Sequence, residues 1–115
     1  MREEGAETMK RLIALCFAAI LLAASPAIAL TGDQLKDDGE QIQKAPGSYS
    51  SGYFDGYVLG VLDLNQDRLC IAERVEMGEV LRVVLKYLQD HPEELHLRAS
   101  DLVLKAIHTA WPCPK

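Results

Sequence analysis

Stretches in which apolar residues recur at helical intervals alternate with short polar breaks, and this pattern divides the chain into elements. In Thr31-Gly32-Asp33-Gln34 a hydroxyl residue precedes Gln by three positions, the spacing at which two side chains cap the free N–H groups of a helix start. It predicts a weakly apolar first helix, with Leu35 and Ile42 inward, ending near Lys44. The stretch from Ala45 to Gly52 has the composition of a loop. From Tyr53 onward, Tyr53, Tyr57, Gly60, Val61 and Leu64 fall at helical spacing, and Asn65-Gln66-Asp67 is the expected exit. Gly56 and Gly60 lie four apart on one side; glycine weakens a lone helix, so the pair predicts that another helix approaches the backbone there.

The strongest period runs from Gly78 to Gln89, with Val80, Leu81, Val84, Leu85 and Leu88 forming a buried stripe and Glu79, Arg82, Lys86 and Gln89 facing outward. His91-Pro92 stops this helix, because a residue before proline is pushed away from helical torsions. Glu93 to Arg98 read as a polar connection anchored by Leu95 and Leu97. A last helix, Ser100 to Ala110, turns Leu102, Val103, Ala106, Ile107 and Ala110 inward and ends in Trp111-Pro112-Cys113-Pro114. The reading is all-α: four helices, with no strand and no internal repeat.

Ahead of these elements, Lys10-Arg11 is followed by an apolar run from Leu12 to Ala24 and by Ser25-Pro26-Ala27-Ile28-Ala29, the order of a secretory signal peptide with cleavage after Ala29. The run is shorter than the roughly 20 residues of a membrane-spanning helix, and Pro26 breaks any continuation of it. Glu3, Glu4 and Glu7 stand where an export signal is basic, which favours Met9 as the start. Cys16, behind Leu15 inside the apolar run, does not suit a lipoprotein anchor and is expected to leave with the signal. Residues 1–29 are thus assigned to a signal peptide and 30–115 to one compact four-helix domain in the periplasm, free of the membrane after cleavage.

A domain of this size has a marginal hydrophobic core. The mature chain keeps Cys70 and Cys113, and an even pair in an oxidising compartment most often forms a disulfide. Closing that loop stabilises the fold by about 4 kcal/mol on the chain-entropy model. The formal net charge is −5, and loss of residues 1–29 leaves it unchanged. Nothing in it favours nucleic acid or an anionic lipid surface, and mild acidity suits a basic protein partner as well as plain solubility.

Catalytic and cofactor chemistry find little support. His91 and His96 flank a proline-interrupted connection and His108 lies a helix away, so no metal site is expected from zinc-type ligand spacing. Asp33, Asp37, Asp38 and Glu40, and again Glu93 and Glu94, read as solvated carboxylates. Ser48, Ser50 and Ser51 lack a paired base, and no phosphate-binding glycine loop is present. A small disulfide-stapled helical domain of this kind acts by binding; no cofactor is expected.

Several residues together carry a family resemblance. They are Thr31-Gly32, Gly56-Tyr57-Val58-Leu59-Gly60-Val61 with Asp63, Cys70, Val75, Gly78, Val83-Val84, Tyr87-Leu88, His91-Pro92-Glu93-Glu94-Leu95-His96, Ala99, Leu102-Val103, Ala106, Ala110 and Pro112-Cys113-Pro114. In these the chain resembles the Rap/Tai immunity proteins of type VI secretion systems, periplasmic inhibitors of peptidoglycan-cleaving amidase effectors. The resemblance implies a compact helical protein, often a homodimer, that covers the cleft of a murein amidase. Gly56, Tyr57, Gly60, His91, Pro92 and His96 are then scaffold. Relatives often carry a second cysteine pair joining the first two helices; here Phe54 and a residue near Gly39 take those places, so one disulfide is expected. Glu76 stands where relatives often cap the third helix with Thr or Ser.

The partner-binding surface is expected in the connection from Gln89 to Arg98, where Gln89, Asp90, Glu93, Glu94 and Arg98 concentrate charge beside a rigid helix. A second reading, from another class, is a periplasmic acid-stress chaperone similar to the HdeA type, which unfolds in acid to expose apolar surface.

Overall fold

A computed structural model describes residues 2–23 and 29–115. They form five α-helices: α1 (Arg2–Ala23), α2 (Gly32–Lys44), α3 (Tyr49–Leu64), α4 (Met77–Asp90) and α5 (Ala99–Ala110). Short 3-10 turns at Gln66–Arg68 and Pro92–Glu94 punctuate the connections after α3 and α4. One isolated antiparallel bridge, Thr31 to Arg98, is the extended pairing among the described residues.

Helices α2 to α5 share one core. Leu35 enters it from α2; Phe54, Val58, Val61 and Leu62 from α3; Val80, Val84, Leu85 and Leu88 from α4; Leu102, Val103, Ala106 and Ile107 from α5. Each large aliphatic or aromatic side chain removed from water here contributes about 1.5–3 kcal/mol, which is what holds four short helices together. Leu95 and Ala99 are buried as well, so the connection between α4 and α5 is anchored from beneath. Leu97 is not such an anchor: it is 40% exposed.

Local signals fix the helix ends. Thr31 Oγ1 accepts from Gln34 N at 3.4 Å while Gln34 Oε1 accepts from Thr31 N at 3.1 Å, so the capping box at the start of α2 is complete. Glu76 precedes α4 without a side-chain cap, and the α4 start is the weaker for it. The disulfide joins Cys70 to Cys113 across 43 positions, fixing the link before α4 to the chain's last residues.

The structure corrects the sequence reading of the fold in three further places. The described residues are extended, not compact, and carry five helices, α1 in addition to the four expected beyond residue 29: the radius of gyration is 22.0 Å and the long axis 78 Å, whereas a compact 100-residue domain has a radius near 13 Å. The additional helix α1 holds Lys10-Arg11 and most of the apolar run of the expected signal segment. Its apolar residues Met9, Leu12, Ile13, Leu15, Phe17 and Ile20 are 56–67% exposed. Cys16 on α1 is a free, exposed thiol. No helix among the described residues is long and apolar enough to cross a membrane. Most of the expected cleavage motif, Ser25 to Ile28, lies outside the described residues.

The second correction is to the start of α3, which lies four residues earlier than expected. Gly47, at φ 78°, makes the turn that most side chains resist, and Ser48 then caps the helix by accepting from Ser51 N at 3.3 Å. The serines that gave the segment a loop's composition are its cap and first turn.

The third correction concerns which face of α3 is buried. Phe54, Val58, Val61 and Leu62 point inward, with Ser51 beneath them, whereas Tyr53, Gly56, Gly60 and Leu64 are exposed and Tyr57 is half-buried. A Cβ built on Gly52, Gly56 or Gly60 meets nothing within 4 Å, so no helix of this fold approaches them. Three helical glycines cost the isolated element about 1 kcal/mol each, and packing within the chain does not require them. The tight approaches are at Gly32 and Gly39 of α2: a Cβ on Gly32 would lie 3.2 Å from the Leu95 backbone, and one on Gly39 2.8 Å from Leu85 Cδ1.

Candidate functional site

The connection between α4 and α5 is short, polar outside and held on three sides. Pro92, at the first position of the 3-10 turn, lacks the N–H that a helix start leaves unsatisfied. Leu95 then drops into the core, and the backbone of α2's entry clasps the segment from Leu95 to Ala99. Gly32 N donates to Leu97 O and Asp33 N to Leu95 O, both at 3.0 Å, and Ala99 N donates to Leu30 O at 2.7 Å. Gly32 must lack a side chain for this clasp to close, because Leu95 and Leu102 occupy the space a Cβ would take.

On the outer side one carboxylate organises the rest. The Glu94 side chain is only 18% exposed; Oε2 accepts from the Tyr87 hydroxyl at 2.7 Å, and Oε1 accepts from Lys105 Nζ. Through Glu94, the last turns of α4, the 3-10 turn and the middle of α5 are tied together. The His91 ring stacks on Tyr87 at 4.2 Å between centroids, and its Nδ1 lies 3.0 Å from Glu93 Oε1 and 4.0 Å from Glu94 Oε2.

The electrostatics arise from these contacts. The Lys105 ammonium, and after it the Tyr87 hydroxyl, hold the Glu94 carboxyl below its ordinary range. A backbone N–H, its own, and then His91 do the same for Glu93. Glu94 raises Lys105 in turn, while burial and then Glu94 raise Tyr87. Potential metal-ligating atoms of His91, Glu93 and Glu94 lie within 4.8 Å of one another. Both Glu94 oxygens already accept hydrogen bonds, one from an ammonium that opposes a cation, so this set is suited to an ion-pair network.

Of the residues expected to bind a partner, Glu93 and Glu94 come together with His91, while Gln89 and Asp90 form the end of α4. Asp90 pairs with Lys86 at 2.8 Å, and Gln89 Nε2 reaches Glu40 Oε1 of α2 at 3.5 Å. Arg98 and His96 are exposed, with the Arg98 backbone bridging to Thr31. Glu94 is not the solvated carboxylate its sequence context suggested. Gly56, Tyr57 and Gly60 belong to α3 and take no part in this connection.

Tyr87 and Lys105 join the site without having been expected there from the sequence. The first was legible: Tyr87 and His91 stand four apart on a helix, the spacing at which aromatic rings meet. Lys105 had no local signal, because its tie to Glu94 spans eleven positions and exists only once α5 folds back.

The site is thus a braced, acidic surface loop on a helical scaffold, with hydrogen-bonding edges and no nucleophile–base pair in its contacts. A search of curated proteins found no match. The family model described as Rap1a immunity proteins matches residues 31–113, from the capping threonine of α2 to the disulfide cysteine at the chain's end. The chain belongs to the Rap1a immunity protein family.

Proposed function

We propose that this protein is exported, loses residues 1–29, and protects the periplasm as a stoichiometric inhibitor of a type VI secretion peptidoglycan amidase. By family it is an immunity protein and not an enzyme, and an immunity protein works by binding a cognate effector protein. The observation that supports export and cleavage is the agreement of two boundaries: the family match begins at residue 31, just past the cleavage site expected after Ala29. The structured core begins there too, with α2. The amidase as target rests on the family resemblance.

In this reading the connection from Gln89 to Arg98 covers the amidase cleft. Its backbone is held by the Leu30–Asp33 clasp and the Glu94 network, so little ordering entropy is lost on binding. Glu93, Arg98 and His96 are exposed and free to meet the effector's polar groups. A homodimer, as the family resemblance implies, belongs to the same proposal and is read by sedimentation.

The test is a pull-down of the oxidised protein against a panel of type VI amidase effectors, followed by murein hydrolysis with any enzyme retained. One tight partner whose hydrolysis stops at equimolar protein is the expected result. Absence of such a partner, combined with loss of structure and binding of an apolar dye near pH 3, would instead favour the acid-chaperone reading. Periplasmic residence is checked by the N-terminus of the mature protein, expected at Leu30.

A further inference from the structure

We propose that the exposed face of α3, with the groove at its C-terminal end, is a second docking surface that takes a protein segment in which an apolar side chain is flanked by Lys or Arg. The assignment of that segment to the effector rests on the immunity reading; the chemistry of the surface does not.

The groove has a volume of about 580 Å³ and is walled by Leu59 and Leu62 of α3, Leu69 and Ile71 of the link, and Met77 at the start of α4. Gly60 forms part of its lining, where the missing side chain lets a partner reach the helix backbone. Asp63 and Gln66 complete it, joined by a 3.0 Å hydrogen bond from Gln66 Nε2 to Asp63 Oδ1.

The exposed side chains of this face suit recognition. Tyr49 is 87% and Leu64 84% exposed, and Tyr53, Leu59 and Met77 are also open to solvent. Among described residues beyond α1, Leu97 alone of the large exposed apolar side chains lies off this region. Tyrosines beside an apolar pocket are the usual composition of an interface centre. The unrequired glycines Gly52, Gly56 and Gly60 run in line along the same face and leave it flat enough for close contact.

Charge selects the occupant. Helix α3 carries Asp55 and Asp63 and no basic residue, and the stretch from Leu59 to Met77 that walls the groove carries Asp63, Asp67, Glu73 and Glu76 against Arg68 and Arg74. A second copy docking face to face would bring acidic groups of one sign together, which is unfavourable across an interface. A cationic segment instead complements them, with its apolar residue in the groove.

The experiment uses the full oxidised chain and three synthetic peptides: a Leu-Phe pair flanked by Lys, the same pair flanked by Glu, and the Lys-flanked peptide with Ser-Ser at the centre. Binding is read by fluorescence anisotropy and by NMR shifts of the Met77 methyl and Gly60 amide. Only the Lys-flanked Leu-Phe peptide should bind, shifting both signals. Gly60→Leu, which fills open space and leaves the core untouched, should weaken it at least tenfold while melting no lower than the parent; Asp63→Asn should weaken it and flatten its salt dependence.

Equal binding of the Lys- and Glu-flanked peptides, or parental affinity in Gly60→Leu, would overturn the proposal. So would a dimer that Gly60→Leu dissolves, which would assign the face to a second copy. With an effector in hand, inhibition lost in Gly60→Leu supports the surface. Inhibition kept in Gly60→Leu but lost on alanine substitution of Glu93, Glu94 and Arg98 removes this surface and leaves the immunity reading intact. Peptide selectivity without any inhibited effector keeps the surface and removes that reading.

Discussion

Gly39 of α2 and Phe54 of α3 fit together as hole and knob: a Cβ on Gly39 would lie 2.8 Å from Phe54 Cε2 and 2.9 Å from Cδ2. The family resemblance implies a second cysteine pair joining these helices at Phe54 and at a residue near Gly39, and here packing joins them instead. Phe54 is fully buried, and only the absence of a side chain at Gly39 makes room for its ring.

That fit predicts strong coupling. Gly39→Ala should destabilise the protein by about 1–3 kcal/mol through overpacking, and Phe54→Ala by about 3–5 kcal/mol through the cavity it leaves. Phe54→Leu in the Gly39→Ala background should recover part of the loss, so urea midpoints of the double variant will depart from the sum of the singles. Strict additivity would mean that the two residues do not touch.

The glycines of α3 should behave in the opposite way. Gly56→Ala and Gly60→Ala meet open space and gain helix propensity, so each should raise stability by about 0.5–1 kcal/mol in chemical denaturation. Gly32→Ala is expected to lower it, because the clasp on Leu95 and Leu102 has no room for a methyl group.

The Glu94 network predicts a pH window. Glu93 and Glu94 titrate below their ordinary value of 4.5, so their stabilisation is complete above that value and is lost as the pH falls through their lower folded values. Lys105 and Tyr87 are raised above 10.5 and 10.0, so their stabilisation is complete below those values and is lost as the pH climbs through the folded ones. Glu94→Gln should therefore flatten both flanks of a melting-temperature profile from pH 3 to pH 11. An unchanged profile would place the pH dependence elsewhere.

Removing the cross-link should be costly. Replacing Cys70 and Cys113 together by Ser frees a loop of 43 positions and should cost about 4 kcal/mol on the chain-entropy model. The effect is measured by denaturation of the double variant beside the oxidised parent. Because Leu69 and Ile71 flank Cys70 in the wall of the groove, peptide binding at α3 is expected to weaken in the same variant.

How much of this was legible depended on whether the signal was local. The α2 capping box, the α4 stripe and the proline stop at Pro92 are readable because each is set by residues within a turn or two of one another. The buried face of α3 was misread because tyrosines and glycines formed a second helical row, and periodicity does not say which of two apolar rows meets the core. Phe54 and Val58 win because larger aliphatic and aromatic bodies bury without polar tips. At the candidate site His91 and Glu93 were legible as neighbours, but Glu94's role depended on Lys105, which only the folding back of α5 brings near.

The clasp between Leu30–Asp33 and Leu95–Ala99 also sets an order of events. A chain made from its N-terminus holds the entry of α2 without its partner until nearly the last residues have emerged. Leu95, Ala99 and Leu102, which complete the core, all lie in the last quarter of the chain. The export proposed above would therefore act on a chain whose last core helix, α5, is not yet packed against the entry of α2.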